Sequence, residues 1–163
     1  MTEPDYLPEI YLCPGEMVLA REPTILATIL GSCIGVTFWC ARLGIGALCH
    51  SILPKCPLLL SGKVSPLVGH RYVDFCVLSL ASQFDTLGAV RTEIQVKLFG
   101  GADVNFVNPA NARPTIGKLN SEVAMQMLAN QGYLIAASSV GNNFGRKIRF
   151  NTGTGEVQLV RLI

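Results

Sequence analysis

The stretch TILATILGSCIGVTFW, residues 24–39, decides the fold of this chain. Two apolar runs, 24–30 and 34–39, are rich in β-branched and aromatic residues and are separated by Gly31 and Ser32. Such residues favour strands, and a break that contains glycine between two apolar runs is typical of a tight turn. The stretch therefore predicts two largely buried strands joined by a turn, with Cys33 where the first strand gives way to the second.

Further strands and two helices are predicted on either side of this pair. Apolar runs predict strands over 44–53, 94–99 and 133–140, and a closing hairpin over 147–151 and 157–162. Apolar residues three and four apart predict an amphipathic helix over 72–84. A second helix is expected from Thr115, as N-cap, to Gly132. Its buried face is predicted to contain Ile116, Leu119, Val123, Met127 and Leu128.

Length and composition restrict the class of protein. The 163 residues predict one domain, 1–163, with residues 1–9 as a short tail. A hydrophobic fraction of 50% against 15% charged residues excludes disorder for most of the chain. The net charge of +2 is too small and too evenly spread for a nucleic-acid-binding surface. Because strands outnumber helices, the expected fold class is mixed α+β with a large sheet system.

Membrane insertion and secretion are not expected. The mean hydropathy is high, at +0.41, but the best candidate span, residues 24–41, contains several polar residues and glycines. It also falls short of the ~20 mostly apolar residues that a spanning helix needs. The start of the chain, MTEPD, lacks the basic and apolar parts of a signal peptide. We therefore expect a cytoplasmic protein.

Six cysteines are present, and we expect them to stay reduced in that compartment. No Cys-x-x-Cys motif occurs, and with only His50 and His70 available no zinc-ligand spacing can be assembled. No metal is expected. Most of the cysteines are expected to be small buried hydrophobic residues.

Cys33 and His50 are the residues most able to carry chemistry. Considered alone, a buried cysteine and a core histidine are the commoner outcomes for residues of these types. Together, however, they place a nucleophile and a base on neighbouring predicted strands, and a thiol needs such a base for ionisation at neutral pH. The glycine turn could also expose the thiol and direct backbone N–H groups towards an oxyanion.

Three other features give weaker functional signals. Gly100-Gly101 matches neither phosphate-binding glycine pattern, and His70 precedes a helix, where a capping or surface role is expected. The cluster Arg146-Lys147-x-Arg149 is expected to be a solvated strand edge.

The chain resembles the CheD family, the chemoreceptor glutamine deamidases of bacterial and archaeal chemotaxis. The resemblance covers nearly the whole chain in the right order, with seventeen positions from Cys33 to His50. The matching motifs are Pro14-Gly15-Glu16, Leu30-Gly31-Ser32-Cys33, His50-Ser51-Ile52-Leu53-Pro54, Arg71-Tyr72-Val73-Asp74, Lys97-Leu98-Phe99-Gly100-Gly101-Ala102, Ile116-Gly117-x-x-Asn120, Gly145-Arg146-Lys147-Ile148-x-Phe150 and Gly155-Glu156-Val157.

The resemblance implies an enzyme that converts glutamine side chains of methyl-accepting chemotaxis receptors to glutamate and releases ammonia. It implies a β-sandwich-like core with flanking helices, similar to the catalytic domain of cytotoxic necrotizing factor toxins, and no cofactor. The family's nucleophile falls on Cys33 and its histidine on His50. Family members also bind CheC, a phosphatase acting on phospho-CheY, so CheC is an expected partner.

Residue chemistry then predicts a mechanism through a thioester. His50 would ionise Cys33 near neutral pH, protonate the departing ammonia and activate water. The backbone N–H groups of Ser32 and Cys33 would bind the oxyanion. For one wall of the receptor or partner surface, the sequence suggests Phe99, Gly100, Gly101 and Ala102.

The chain departs from the family at the third catalytic position. The usual threonine six residues before the cysteine is Ala27 here, and Thr28 would face the opposite way in a regular strand. A backbone carbonyl is therefore the preferred orienter of His50, with Thr28, brought inward by a bulge, as the alternative. Ala27 also leaves open a weakly active module that docks on receptors or CheC. A related acyl-transfer enzyme, a transglutaminase or a receptor methylesterase, is a third hypothesis.

Overall fold

The computed structural model describes residues 6–103 and 113–163. Its strands are β1 (Glu9–Tyr11), β2 (Met17–Ala20), β3 (Ile25–Leu30), β4 (Ile34–Cys40), β5 (Ile45–Ser51), β6 (Gln95–Gly100), β7 (Ile135–Val140), β8 (Gly145–Asn151) and β9 (Val157–Leu162). Its helices are α1 (Pro66–Gly69), α2 (Val73–Thr86) and α3 (Ile116–Asn130), and short 3₁₀ turns cover Leu59–Ser61 and Arg91–Glu93.

The predicted pair of strands, β3 and β4, belongs to two different sheets. The first sheet has the order β1-β3-β8-β9, and the second has the order β2-β5-β4-β6-β7. The turn at Gly31 therefore carries the chain from one sheet to the other and does not close a hairpin. In the second sheet β4 is central, with β5 and β6 antiparallel on its two sides.

The two sheets pack face to face over one hydrophobic core. Its fully or almost fully buried members come from both sheets and from the segment after β1: Leu12, Leu26, Leu30, Leu48, Phe99, Ile148 and Phe150. Burial of each such side chain contributes roughly 1.5–3 kcal/mol to the stability of the fold. Because this core fills the space between the sheets, β3 and β5 are held opposite one another.

A second core lies on the other face of the second sheet. There, buried residues of β4, β5 and β6 pack against α2 and α3, with Phe38 in edge-to-face contact with both Phe84 and Tyr133. The layers are thus sheet, sheet and helices. The predicted α+β class, with a sandwich-like core and flanking helices, is confirmed, and both long helices lie on one side of the sandwich.

Most predicted elements are present, but two short strands were missed. Residues 1–9 were expected to be a tail, whereas Glu9 already belongs to β1, which pairs in parallel with β3. Strand β2, from Met17 to Ala20, pairs with β5. Runs of three and four residues are too short to show a period of two, so only pairing with a neighbour reveals them.

The buried face of α3 differs from the prediction. Ile116 is 43% exposed, and the buried residues include small and polar ones: Gly117, Asn120, Ser121, Val123, Ala124 and Leu128. Thr115 caps the helix as expected, because its hydroxyl accepts from the backbone N–H of Lys118 at 3.2 Å. The helix turns small residues inward because it lies close to the loop after β6.

Arg146 is fully buried, so the expectation of a solvated edge is wrong for this residue. Its guanidinium donates to the hydroxyl of Ser139 at 2.9 Å and to the carbonyl of Gly141 at 2.9 Å. Burial lowers its pKa from the ordinary value. Arg146 therefore links β8 of the first sheet to the end of β7 in the second sheet.

Among the described residues, no helix is both long enough and apolar enough to cross a membrane.

Candidate active site

Cys33 lies directly before β4, at the point where the chain passes between the sheets. Its side chain is partly exposed and packs against the core between the sheets. The carbonyls of Gly31 and Cys33 accept from the backbone N–H groups of Ala102 and Gly101, both at 2.9 Å. The intervening carbonyl, of Ser32, accepts from the side-chain amide of Asn120 at 2.9 Å. The turn is therefore held at three consecutive carbonyl groups.

The N–H groups of this turn remain available. Within residues 6–103 and 113–163, the backbone N–H groups of Ser32 and Cys33 donate to no protein acceptor. Both belong to residues at the rim of the sandwich, where Cys33 is partly exposed. The pair thus has the chemistry needed to bind a developing oxyanion beside the thiol.

His50 lies on β5, on the same face of the second sheet as Cys33. Gly35 is the residue opposite His50 in the antiparallel ladder, and Cys33 precedes Gly35 by two residues. Side chains two apart along a strand share a face, and such diagonal neighbours have Cα atoms roughly 7–8 Å apart. His50 is 2% exposed, and among the described residues the Nε2 of its imidazole has no hydrogen-bond partner.

Thr28 contacts His50 from the opposite sheet. Its Oγ1 lies 2.7 Å from Nδ1 of His50 and donates to the carbonyl of Leu12 at 2.8 Å. Since the single hydroxyl hydrogen is used by Leu12, Oγ1 accepts from Nδ1–H. The imidazole is thereby fixed in the tautomer whose Nε2 lone pair is free, which is the form that a general base requires.

The expectation that Thr28 faces away from His50 is wrong, and so is the preference for a backbone carbonyl in its place. Leu26 and Leu30 both point into the core between the sheets, so Thr28, midway between them, points there as well. Ala27 points to the other face of the first sheet. Here the threonine that contacts the histidine lies five residues before the cysteine, and no bulge is needed.

The electrostatics of the site favour two neutral groups. Burial lowers the pKa of His50 from 6.5 to about 4, against a smaller opposing effect of the Glu16 carboxylate. Burial also raises the pKa of the Cys33 thiol, and its own backbone N–H partly offsets this rise. The expected thiolate near neutral pH is therefore not the resting state. A nucleophilic attack by this thiol would therefore require a base to take its proton.

The segment Phe99–Ala102 is not an exposed wall. Phe99 is 5% exposed and Ala102 is 1% exposed, so neither offers a surface to a partner. Gly100 has φ +106°, and a Cβ there would meet the carbonyl oxygen of Cys33 at 2.1 Å. The assignment of this segment to the substrate surface is wrong. It instead packs against the turn that carries Cys33, and a side chain at Gly100 would push that turn away.

Other residues considered from the sequence lie elsewhere. Cys13 is exposed, and the remaining cysteines are buried: Cys40, Cys49, Cys56 and Cys76. His70 follows α1, and its carbonyl accepts from the thiol of Cys76 at 3.3 Å. The part of the chain that the structure describes contains no group of three or more His, Cys, Asp or Glu side chains suited to a metal ion.

Asn120 was not recognised as a site residue. It donates from Nδ2 to the carbonyls of Ser32 and Ile52, at 2.9 and 3.0 Å. The only signal in the sequence is the motif Ile116-Gly117-x-x-Asn120, in which a polar residue lies on a helix face that also carries glycine. Its partners lie 88 and 68 positions away, beyond the range of any local pattern.

A family model and individual related proteins both identify the same family for this chain. The family model described as "CheD chemotactic sensory transduction" matches residues 62–161. A Geobacter sulfurreducens protein named "Probable chemoreceptor glutamine deamidase CheD 2" is 40% identical over 156 residues, which are 96% of this chain and 91% of that protein. A Thermococcus kodakarensis protein named "Probable chemoreceptor glutamine deamidase CheD" is 33% identical over 152 residues, which are 93% of this chain and 91% of that protein.

Among solved structures, the crystal structure of Bacillus licheniformis hypothetical protein YfiH is similar in fold. The TM-score is 0.51 at 12% sequence identity. The alignment covers 78% of this chain and 51% of that protein. At this identity the likeness concerns the fold alone.

Proposed function

This chain belongs to the CheD family, and from that premise we propose that it is a chemoreceptor glutamine deamidase in which Cys33 is the nucleophile and His50 the base. The contact that carries the proposal is the one between Thr28 and Nδ1 of His50, at 2.7 Å. It leaves Nε2 unprotonated on the sheet face that also carries Cys33. A thiol beside an oriented neutral imidazole is the arrangement that cysteine acyl transfer requires.

The first half of the reaction releases ammonia. Nε2 of His50 takes the thiol proton while the sulfur of Cys33 attacks the carboxamide carbon of a receptor glutamine. The N–H groups of Ser32 and Cys33 bind the oxyanion of the tetrahedral intermediate. The imidazolium gives its proton to the departing nitrogen. Ammonia then leaves, and the acyl group remains on Cys33 as a thioester.

The second half regenerates the enzyme. A water molecule gives a proton to His50 and attacks the thioester carbon, and the thiolate of Cys33 leaves and recovers that proton. The net change is glutamine plus water to glutamate plus ammonium, because the new carboxylic acid gives its proton to the released ammonia. Thr28 touches no reacting atom and acts as a positioning residue that holds the imidazole.

The observation that favoured a weakly active docking module no longer supports that alternative. It relied on Ala27, whereas the hydrogen bond between Thr28 and His50 supplies the missing orienter. The acyl-transfer alternatives use the same thioester but need a second acceptor or an ester substrate. The names of the relatives favour hydrolysis of an amide.

The substrates are chemotaxis receptors, as the names of the relatives imply. We place the reaction in the cytoplasm, and CheC remains the partner proposed from the resemblance. A receptor side chain must reach a thiol at the rim of the sandwich, so the binding surface lies around Cys33 and not on the buried segment after β6.

Intact-mass measurement of a receptor cytoplasmic domain tests the proposal. Incubation with the protein should add about one dalton for each modified glutamine and release one equivalent of ammonia, as amide hydrolysis requires. Addition of a primary amine in excess should not produce a conjugate. An unchanged receptor mass, or conjugate without acid, would overturn the proposal.

A further inference from the structure

Asn120 is a buried polar residue with no role in the mechanism above. It is fully buried on α3, and its Nδ2 donates to Ser32 and Ile52. Its Oδ1 finds no partner among the described residues, although it is also buried. An unsatisfied buried amide oxygen costs about 1–3 kcal/mol. A residue kept at such a cost calls for an account of what its amide group does.

The hydrogen bond to Ser32 acts on the peptide group that contains the Cys33 N–H. The carbonyl of Ser32 and the N–H of Cys33 belong to one planar trans unit, in which the oxygen and the hydrogen point in opposite directions. Fixing the oxygen on Asn120 at 2.9 Å therefore fixes the direction of the N–H. A donor on the oxygen also polarises the group and strengthens the N–H as a donor.

The preceding peptide group is held in the same manner but by the backbone. The carbonyl of Gly31 accepts from the N–H of Ala102 at 2.9 Å, which fixes the Ser32 N–H. Among the described residues, a side chain thus orients only one of the two candidate oxyanion donors, the Cys33 N–H. This makes the role of Asn120 accessible to substitution.

The second hydrogen bond connects the turn to the strand that carries the base. Ile52 follows His50 by two residues, directly after β5, and its carbonyl accepts from Nδ2 of Asn120 at 3.0 Å. One amide group therefore bridges the segment that precedes the nucleophile and the segment that follows the base.

Close packing of α3 brings the amide to this place. A Cβ on Gly117 would lie 2.4 Å from the carbonyl oxygen of Ala102 and 2.7 Å from that of Gly101, so only glycine allows this approach. Residues three apart lie on one face of a helix, so Asn120 is directed towards the same loop and the turn beyond it.

We propose that Asn120 is a positioning residue for the oxyanion site, which aims the Cys33 N–H at the developing oxyanion by holding the carbonyl of Ser32. This inference rests on the proposed deamidase function. The amide group takes no part in proton transfer and does not touch the sulfur. Its loss affects those steps of catalysis in which a tetrahedral oxyanion forms.

Two reactions of the same thiol separate this role from a structural one. Deamidation passes through a tetrahedral oxyanion, whereas alkylation of Cys33 by iodoacetamide is a displacement at carbon without one. In Asn120→Ala, kcat for deamidation of a receptor fragment should fall about 10–100-fold, somewhat less than the loss of an entire oxyanion donor. KM and the alkylation rate at the same pH should change less than about threefold, by the same reasoning that neither involves the oxyanion.

Ser121→Ala is the matched control, since Ser121 is a buried neighbour whose hydroxyl, among the described residues, bonds only to the Gly117 carbonyl of its own helix. Rates are expressed per folded molecule, and circular dichroism measures the folded fraction of each variant. If Asn120→Ala does not fold, Asn120→Ser removes the same amide with a smaller cavity. Equal losses in deamidation and alkylation, or no loss of kcat, would overturn the inference. Wild-type protein that releases no ammonia would instead refute the proposed function.

Discussion

Thr28 and His50 join the two sheets of the sandwich through a 2.7 Å hydrogen bond at the edge of the core. The two residues lie 22 positions apart and come from strands that do not pair with each other. The bond is possible because β3 and β5 face one another across the core. Its consequence is chemical, since it fixes which imidazole nitrogen carries the proton.

Thr28→Val should lower kcat about 10–100-fold and leave KM nearly unchanged. Valine keeps the shape of the side chain but cannot accept from Nδ1–H, so the imidazole loses its fixed tautomer, at ~1.4 kcal/mol per tenfold. Ammonia release from a receptor fragment is the measurement. Thr28→Ser retains the hydroxyl and should keep most of the activity.

Ala27→Thr serves as the control for Thr28. Ala27 is 2% exposed and points away from the core between the sheets, so a hydroxyl there cannot reach His50. No gain in rate is expected. A higher deamidation rate in Ala27→Thr, together with full activity in Thr28→Val, would show that position 27 and not Thr28 orients His50.

Cys33→Ala should abolish deamidation, with a loss of at least roughly three orders of magnitude, since no other group can form the thioester. The other cysteines are expected to be dispensable for the chemistry. Cys13→Ala is the matched control because this thiol is exposed. Activity that survives in Cys33→Ala and disappears in another cysteine variant would contradict the mechanism.

Alkylation of Cys33 should titrate at or above the ordinary thiol value of about 8.5. Burial raises the pKa of this thiol, and the neutral His50 offers no positive charge to lower it. The rate of iodoacetamide labelling against pH, followed by peptide mass spectrometry, gives the midpoint. A midpoint near 6 would show a thiolate–imidazolium pair in the resting enzyme.

His50 should make the fold less stable as the pH falls from about 6.5 to about 4. Its pKa is about 4 when folded and 6.5 when unfolded, so the unfolded chain takes up the proton first, and protons favour unfolding in this window. The full effect is about 3 kcal/mol at 1.36 kcal/mol per pKa unit. Urea unfolding of wild type and His50→Asn measures it, since groups common to both cancel. Equal pH dependence in the two proteins would contradict the prediction.

Gly117→Ala should destabilise the protein by about 1–3 kcal/mol, the usual cost of overpacking. In most helices the same change is stabilising by roughly 0.5–1 kcal/mol. Here the new Cβ would meet two backbone carbonyl oxygens within 3 Å. The urea midpoint measures the effect, with the exposed neighbour Lys118→Ala as control. A rise in the midpoint for Gly117→Ala would show that α3 can shift without cost.

Local patterns in the sequence were sufficient to predict most elements and to single out the two residues proposed to react. The apolar runs around Gly31 gave two strands, and the spacing of apolar residues gave α2, because these features depend on neighbours along the chain. Cys33 and His50 were identified because a thiol and an imidazole on adjacent strands are chemically distinctive. The resemblance to a family then supplied the reaction.

The sequence by itself determined most of the strands, the long helices and the two residues proposed as nucleophile and base, while only the tertiary structure decided which side chains surround them. Thr28 meets His50 across two sheets, and Asn120 meets Ser32 over 88 positions. Such contacts depend on how sheets and helices pack, and a period of two or 3.6 contains no information on packing partners. Burial is decided at the same level, which is why Phe99 lies inside and why the resting thiol is neutral.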